Sequence, residues 1–237
     1  MLSSRGKRAL NKWSLWSRVP LIRIGVLVSG SGSNLQSIMD ACGNKEIDGQ
    51  VCVVISNVAD AYAIERADGK GIPAFVVSHH DFSDRLSFDK ELIRILTDYE
   101  IDLVVLAGFM RVLTNEFLDR FPDRVMNIHP ALLPCFPGLG VRQKAIDHGV
   151  RFSGATVHFV DSGVDNGPII IQAVVPVYTD DSEERLKDRI LRLEHKIYPK
   201  AISLFAQGRL SKIGRKVFIK DLVEDDSQCL INPPLEA

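Results

Sequence analysis

Ile24-Gly-Val-Leu-Val28 runs directly into Ser29-Gly-Ser-Gly-Ser-Asn34, and Leu35, Ile38 and Met39 follow at helical spacing. A short β-rich run, a loop of small residues and a 3.6-residue apolar period read as strand, turn and helix. The same order repeats downstream. Val51-Cys-Val-Val-Ile55 is a second strand, Ala59 to Lys70 reads as a helix, and Pro73 to Val77 is a third strand. Leu86 to Tyr99 carries Leu86, Leu92, Ile93 and Leu96 at helical steps, and Asp102-Leu-Val-Val-Leu-Ala107 is a fourth strand. That fourth run is almost wholly apolar, as a strand covered on both faces must be. Strand-like runs recurring roughly every 20 to 30 residues between helices predict βαβ units. The fold class expected is α/β: an open, mostly parallel twisted sheet with helices on both faces, Rossmann-like in its first half.

The second half differs in kind. Val125-Met-Asn-Ile-His129 reads as a fifth strand that enters Pro130-Ala-Leu-Leu-Pro-Cys-Phe-Pro-Gly138, where three prolines enforce a stiff, non-helical excursion. Ala155 to Val160 and Ile169 to Val177 are two more strands, joined by the turn-rich Asp161-Ser-Gly-Val-Asp-Asn-Gly167. Asp180 or Asp181 is expected to cap a helix whose buried face holds Leu186, Ile190, Leu193 and Ile197, with Pro199 kinking or interrupting it. One more strand, Lys216 to Lys220, precedes an end expected to fray. The organisation expected is a basic extension over 1–20, a catalytic domain over 21–210, and a strand and tail over 211–237.

Composition narrows the class of function. The 237 residues are 46% hydrophobic and 25% charged, which suits a soluble globular chain, and 29 basic against 30 acidic residues leave no global field for nucleic acid or an anionic membrane. The longest apolar runs fall well short of the ~18 residues a spanning helix needs, so no membrane is expected. Cys42, Cys52, Cys135 and Cys229 are scattered, without CxxC or Cys/His pairing, which predicts reduced thiols, no zinc and a cytoplasmic setting. Residues 1–20 hold five basic residues, no acid and Trp13 with Trp16, so organelle targeting is the alternative to a solvated extension.

Two stretches can carry chemistry. The loop at Ser29 to Asn34 exposes backbone N–H groups at the positive end of a helix, where a phosphate fits; a capped βα turn explains the same residues. A dinucleotide fingerprint does not, because Leu35 replaces the third glycine and Ser56-Asn57 offers no acid for a ribose. At the carboxyl end of the fifth strand, alternation puts Asn127 and His129 on one face, where an amide and an imidazole can donate to an oxyanion. The Asp161/Asp165 segment supplies a carboxylate able to hold His129 protonated, and His158 is either a packing residue or a partner of Asp165. A nucleophile elbow and an HExxH zinc motif are both missing, so the nucleophile is expected to come from the substrate.

At this point the residues resemble a family, the folate-dependent phosphoribosylglycinamide formyltransferases of purine synthesis, over about Arg23 to Leu210. The blocks that carry the resemblance are Ser29-Gly-Ser-Gly-Ser-Asn-Leu35, Ile55-Ser-Asn57, Val105-Leu-Ala-Gly-Phe-Met-Arg111, Asn127-Ile-His-Pro-Ala-Leu-Leu-Pro134, Val157-His-Phe-Val160 with Asp165-Asn-Gly-Pro168, and Glu194-His-Lys-Ile-Tyr-Pro199. The resemblance implies that glycinamide ribonucleotide offers its amine to the formyl group of 10-formyltetrahydrofolate, the co-substrate, with no metal. It implies Asn127, His129 and Asp165 as the catalytic trio. Ser31, Gly32, Ser33 and Asn34 correspond to a phosphate cradle and Glu194 to a ribose-binding acid. Met110, Arg111, Val112 and Leu113, together with Asp161, correspond to folate-pocket walls, and Arg85 and Arg111 to residues near the benzoylglutamate end. The chain departs from the family at Leu139-Gly-Val-Arg142, where many relatives carry His- or Asn-containing text, and at Ala131 and Cys135.

Other readings keep the same donor or drop the reaction. A formyltetrahydrofolate deformylase would hand the formyl group to water, and that family usually carries a regulatory domain ahead of the catalytic one. Methionyl-tRNA formyltransferase needs a basic carboxyl-terminal domain. Neither is expected in the first 20 residues or in the 27 after Leu210. A non-enzymatic nucleotide-binding module explains the glycine loop but not the trio. Either a monomer or a homodimer is compatible with the sequence.

Overall fold

The computed structural model describes residues 21–222 and Leu230; the expectations for residues 1–20 and for nearly all of the tail lie outside them. Five parallel strands form the first part of a seven-stranded sheet: β1 (Ile22–Val28), β2 (Gly49–Ser56), β3 (Ala74–Val76), β4 (Leu103–Leu106) and β5 (Val125–His129). Then β6 (Phe152–Phe159) and β7 (Ile169–Pro176) add antiparallel pairs, giving the order β3-β2-β1-β4-β5-β6-β7. The helices are α1 (Ser33–Gly43), α2 (Tyr62–Asp68), α3 (Arg85–Asp98), α4 (Asn115–Arg120), α5 (Val141–Asp147) and α6 (Glu183–Ala206).

Strand alternation sorts the core into two layers. Ile24, Val26 and Val28 pack with Leu35, Ile38 and Tyr198 from α1 and α6 on one face, while Leu27 packs with Phe88, Leu92 and Leu96 of α3 on the other. Helices therefore cover both faces, as the apolar β4 run required. The carboxyl ends of β1, β4 and β5 lie side by side, which is where an open α/β sheet presents ligands.

Two expectations need correction. The α6 cap is Ser182, whose hydroxyl accepts the Arg185 N–H at 3.3 Å, not Asp180 or Asp181. Asp181 is instead held by the Arg189 fork at 2.7 and 2.9 Å and by the Tyr178 N–H at 2.8 Å. Arg189 first, helped by that N–H, lowers its proton affinity. Pro199 interrupts nothing: α6 runs unbroken through it from Glu183 to Ala206. A mid-helix proline costs about 3 kcal/mol, whereas full burial of Tyr198, Ile202 and Leu204 around it is worth ~1.5–3 kcal/mol per large side chain. Packing therefore wins. The strand expected at Lys216 is half of a hairpin, β8 (Leu210–Ile213) with β9 (Lys216–Ile219), whose first strand is too short and polar to announce itself. No described helix is long and apolar enough to cross a membrane.

Candidate active site

The loop after β1 is built by backbone. Gly32 is the N-cap of α1 with φ 69°, and no side chain caps the helix. A Cβ there would lie 2.7 Å from Ala63 Cβ and 2.8 Å from Ala63 Cα, so both the left-handed conformation and the close approach of α2 demand glycine. Asn34, the second residue of α1, donates from Nδ2 to Glu194 Oε2 at 2.7 Å, which ties the loop to α6. Burial raises the Glu194 proton affinity; the Asn34 bond and the charges of Arg142 and His129 oppose it. Ser31, Gly32, Ser33, Asn34 and Glu194 thus form one neighbourhood.

The end of β5 is built by side chains. Tyr198 bridges the Leu106 and Met126 carbonyls at 3.0 Å each and so holds β4 to β5 just behind Asn127. In the antiparallel pairing with β6, Asn127 faces His158 and His129 faces Thr156. The proline loop is clamped from below: Thr156 Oγ1 donates to Ala131 O at 2.7 Å and accepts the Leu133 N–H at 3.1 Å, and Gln172 Nε2 donates to Leu133 O at 2.8 Å.

Asp165 enters this cluster from the β6–β7 loop. Its φ of 49° is left-handed, a conformation aspartate tolerates better than most residues. Two residues on, Gly167 lies so close to Phe159 that a Cβ would fall 1.7 Å from the Phe159 carbonyl oxygen, which returns the loop to the sheet. Asp165 Oδ2 lies 3.2 Å from His129 Nδ1 and accepts the Gly138 N–H at 2.8 Å, while Oδ1 accepts from Asn127 Nδ2 at 3.3 Å. His129 Nε2 faces the Phe136 carbonyl at 2.8 Å. Both ring nitrogens of His129 therefore meet acceptors, and only a ring with a proton at each satisfies both.

His158 completes the set as the partner of Asn127 more than of Asp165. Its Nε2 is 3.2 Å from Asn127 Nδ2 and 3.9 Å from Asp165 Oδ1, and its Nδ1 faces Phe159 O at 2.8 Å. The proton thus belongs on Nδ1, leaving Nε2 to accept from Asn127. Burial, chiefly, lowers its proton affinity, which agrees with a neutral ring. Because His158 Nε2 and Asp165 Oδ1 are both acceptors, the amide of Asn127 is fixed with Nδ2 toward them.

A cavity of about 320 Å³ opens on this cluster and is bordered by Asn127, His129, His158 and Asp165. Met110, Arg111, Val112, Leu113 and Asp161 all border it too. Arg85 does not; it is exposed in the first turn of α3, although its charge and that of Arg111 both bear on buried Asp89. Asp89 anchors the cavity wall by accepting from Thr114 N at 2.6 Å and Thr114 Oγ1 at 2.7 Å. A polar donor pair and a carboxylate beside one cavity suit transfer of an acyl group.

Residues 22–202 match the formyl transferase family model. The chain belongs to the formyl transferase family. It is 47% identical over 189 residues to the phosphoribosylglycinamide formyltransferase of Escherichia coli (strain K12), covering 80% of this chain and 89% of that one. It is also 47% identical over 188 residues to the trifunctional purine biosynthetic protein adenosine-3 of Drosophila melanogaster, spanning 78% of this chain but only 14% of the fly protein. The crystal structure of glycinamide ribonucleotide transformylase 1 from Symbiobacterium toebii superposes with a TM-score of 0.83 at 53% identity, covering 84% of this chain and 94% of that one.

Within this formyl transferase, the sequence reading named His158 among the residues that hold the cluster in place and missed the others. Thr156 and His158 stand two apart on β6 and directly face His129 and Asn127, so strand alternation carried that signal once the pairing was known. Gln172, Tyr198 and the Phe136 carbonyl gave none, since each acts across more than one element. Arg142, inside the stretch that departs from the family, borders the cavity with Nε 3.5 Å from Glu183.

Proposed function

We propose that this chain transfers the formyl group of 10-formyltetrahydrofolate to the amine of glycinamide ribonucleotide, in the cytoplasm, as a step of purine synthesis. The observation that carries the reading is the Asn127, His129 and Asp165 cluster bordering a cavity; the glycine-turned loop after β1 is linked to it through Asn34 and Glu194, whose carboxyl feels the His129 charge. The family membership and the relatives' names support the reaction class.

Attack of the neutral amine on the formyl carbon puts negative charge on the formyl oxygen and positive charge on the amine nitrogen. Asn127 Nδ2, giving up its longer 3.3 Å bond to Asp165, and a protonated His129 donate to that oxygen as the charge develops. His129 Nε2 turns from the uncharged Phe136 carbonyl to the oxyanion, so that its bond then joins two opposite charges. Asp165 keeps the imidazolium paired and, directly or through water, takes the amine proton and returns it to the departing folate nitrogen. The bond formed is N–C to the glycinamide; the bond broken is C–N10 of the folate.

The phosphate of the nucleotide rests on the N–H groups of residues 31–34, and Glu194 accepts from the ribose. Met110 to Leu113 and Asp161 wall the folate, while Arg85 and Arg111 stand toward its glutamate end. Mixing the protein with 10-formyltetrahydrofolate, with and without glycinamide ribonucleotide, tests the reading. Tetrahydrofolate is expected only when the nucleotide is present, together with formylated nucleotide. Release of formate without the nucleotide would assign a hydrolase instead.

A further inference from the structure

The anion seat is gripped from the side by one arginine of α2. Arg66 Nε donates to the Ser31 carbonyl at 2.8 Å, Nη1 donates to Gln36 Oε1 at 3.2 Å, and the guanidinium lies over Tyr62 at 4.8 Å. Its Cδ sits 3.3 Å from where a Cβ on Gly32 would be, so the side chain follows the loop at its tightest point. Its charge also reaches His195, the residue after Glu194, whose Nε2 is buried without a partner. Arg66 thus borders both the loop and the stretch of α6 that carries Glu194.

Two of its five N–H donors are engaged, and among the described residues no carboxylate pairs with it. The charge arithmetic at the seat calls for such a cation. A helix N-terminus supplies roughly half a positive charge, whereas a phosphate monoester carries about −1.5 to −2 near neutrality. Backbone alone leaves most of that charge unbalanced.

We propose that Arg66 is a specificity-determining residue that selects the phosphorylated form of the acceptor, its fixed charge and remaining donors acting on the anion seated at residues 31–34. This rests on the reaction proposed above. Arg66 makes the nucleotide and its dephosphorylated nucleoside different substrates, and the difference weakens with salt because one partner is a half-exposed arginine.

The test compares glycinamide ribonucleotide with glycinamide riboside in the wild type, Arg66→Gln and Arg66→Lys, alongside melting shifts caused by ribose 5-phosphate and by ribose. For Arg66→Gln the nucleotide KM is expected to rise about tenfold, the scale of one charge-assisted contact. The folate KM should hold and the loss should be confined to the phosphorylated acceptor. Arg66→Lys should recover most of it. Ribose 5-phosphate should raise the wild-type melting temperature and do so far less in Arg66→Gln. Equal loss for nucleotide and nucleoside, or an unchanged nucleotide KM, would overturn the proposal and leave Arg66 a loop brace. A wild type that formylates neither acceptor would break the reaction reading alone, and the ribose 5-phosphate shift would still decide the role of Arg66: retained in the glutamine variant or missing from the wild type, it goes against the proposal.

Discussion

On the proposed reading, the loop after β1 and the end of β5 are two halves of one site built by opposite means. At β1 the functional groups are backbone N–H groups, and the side chains nearby matter mostly by being absent, as Gly32 against Ala63 shows. At β5 they are side chains, and the backbone contributes partners: the Gly138 N–H for Asp165 and the Phe136 carbonyl for His129. A backbone site is damaged by adding a carbon. A side-chain site is damaged by removing a functional group. The first failure should appear in the binding of one substrate and the second in the rate.

The sharpest break is expected at β5. His129→Ala and Asp165→Asn should each lower kcat by ~10²–10³, the range for losing an oxyanion donor, with nucleotide binding little changed. Because the two groups face each other at 3.2 Å, the double variant should be far less impaired than the product of the single losses. Measuring kcat per folded active site decides it; a well-folded His129→Ala that keeps more than about a tenth of the wild-type rate removes the oxyanion role.

At β1 the expected loss is smaller and of the other kind. Gly32→Val forces a β-branched residue into a left-handed conformation and against Ala63, a strain of about 1–3 kcal/mol. The nucleotide KM should rise ~5- to 150-fold at that scale while the folate KM moves far less. Equal effects on both substrates in a folded variant would dissolve the contrast between the two halves.

Glu194, where the halves meet, should give the smallest effect and a stability change of opposite sign. Burial raises its proton affinity, so the stability it contributes is complete below the unfolded value of 4.5 and is lost as pH rises through the higher folded value. At neutral pH the buried carboxylate is therefore a net cost. Glu194→Gln keeps an acceptor for Asn34 and should raise Tm at pH 7 by about 2–4 °C per kcal/mol regained, an advantage that shrinks on acidification. The nucleotide KM should rise several-fold, on the order of 1 kcal/mol. In the wild type that KM should climb as pH falls through the raised value, whereas in Glu194→Gln it should stay flat. Thermal melts and KM across pH 4 to 8 check both; a glutamine variant less stable at pH 7 would show that Arg142 and His129 outweigh burial.

The parallel part of the sheet was legible because β1, β2 and β4 each carry an apolar run and are separated by helical periods. The seat at Gly32 was legible because a positive φ and a close approach each leave glycine as their mark. Asn127 and His129 followed from alternation on β5. The trio itself came from a family resemblance, since nothing in residues 161–167 says that Asp165, and not Asp161, reaches His129. Asp161 instead accepts the Gly163 N–H within its own loop at 2.9 Å.

By itself the sequence determined the periodic features: which runs are strands, which faces are apolar, where glycine is obligatory, and that no broad charge points to a polyanion. These depend on neighbours one to four residues apart, so they can be read locally. Only the tertiary structure decided that Ser182 and not Asp181 caps α6, that the helix continues through Pro199, and that Arg66 lies along the Gly32 loop. It also set both ring nitrogens of His129 against acceptors from separate loops. Those outcomes depend on burial and on competing partners, some as near as Arg189 eight positions after Asp181 and some as far as Arg66 thirty-five after Ser31, and packing of several kcal/mol overrides local preferences worth about one to three.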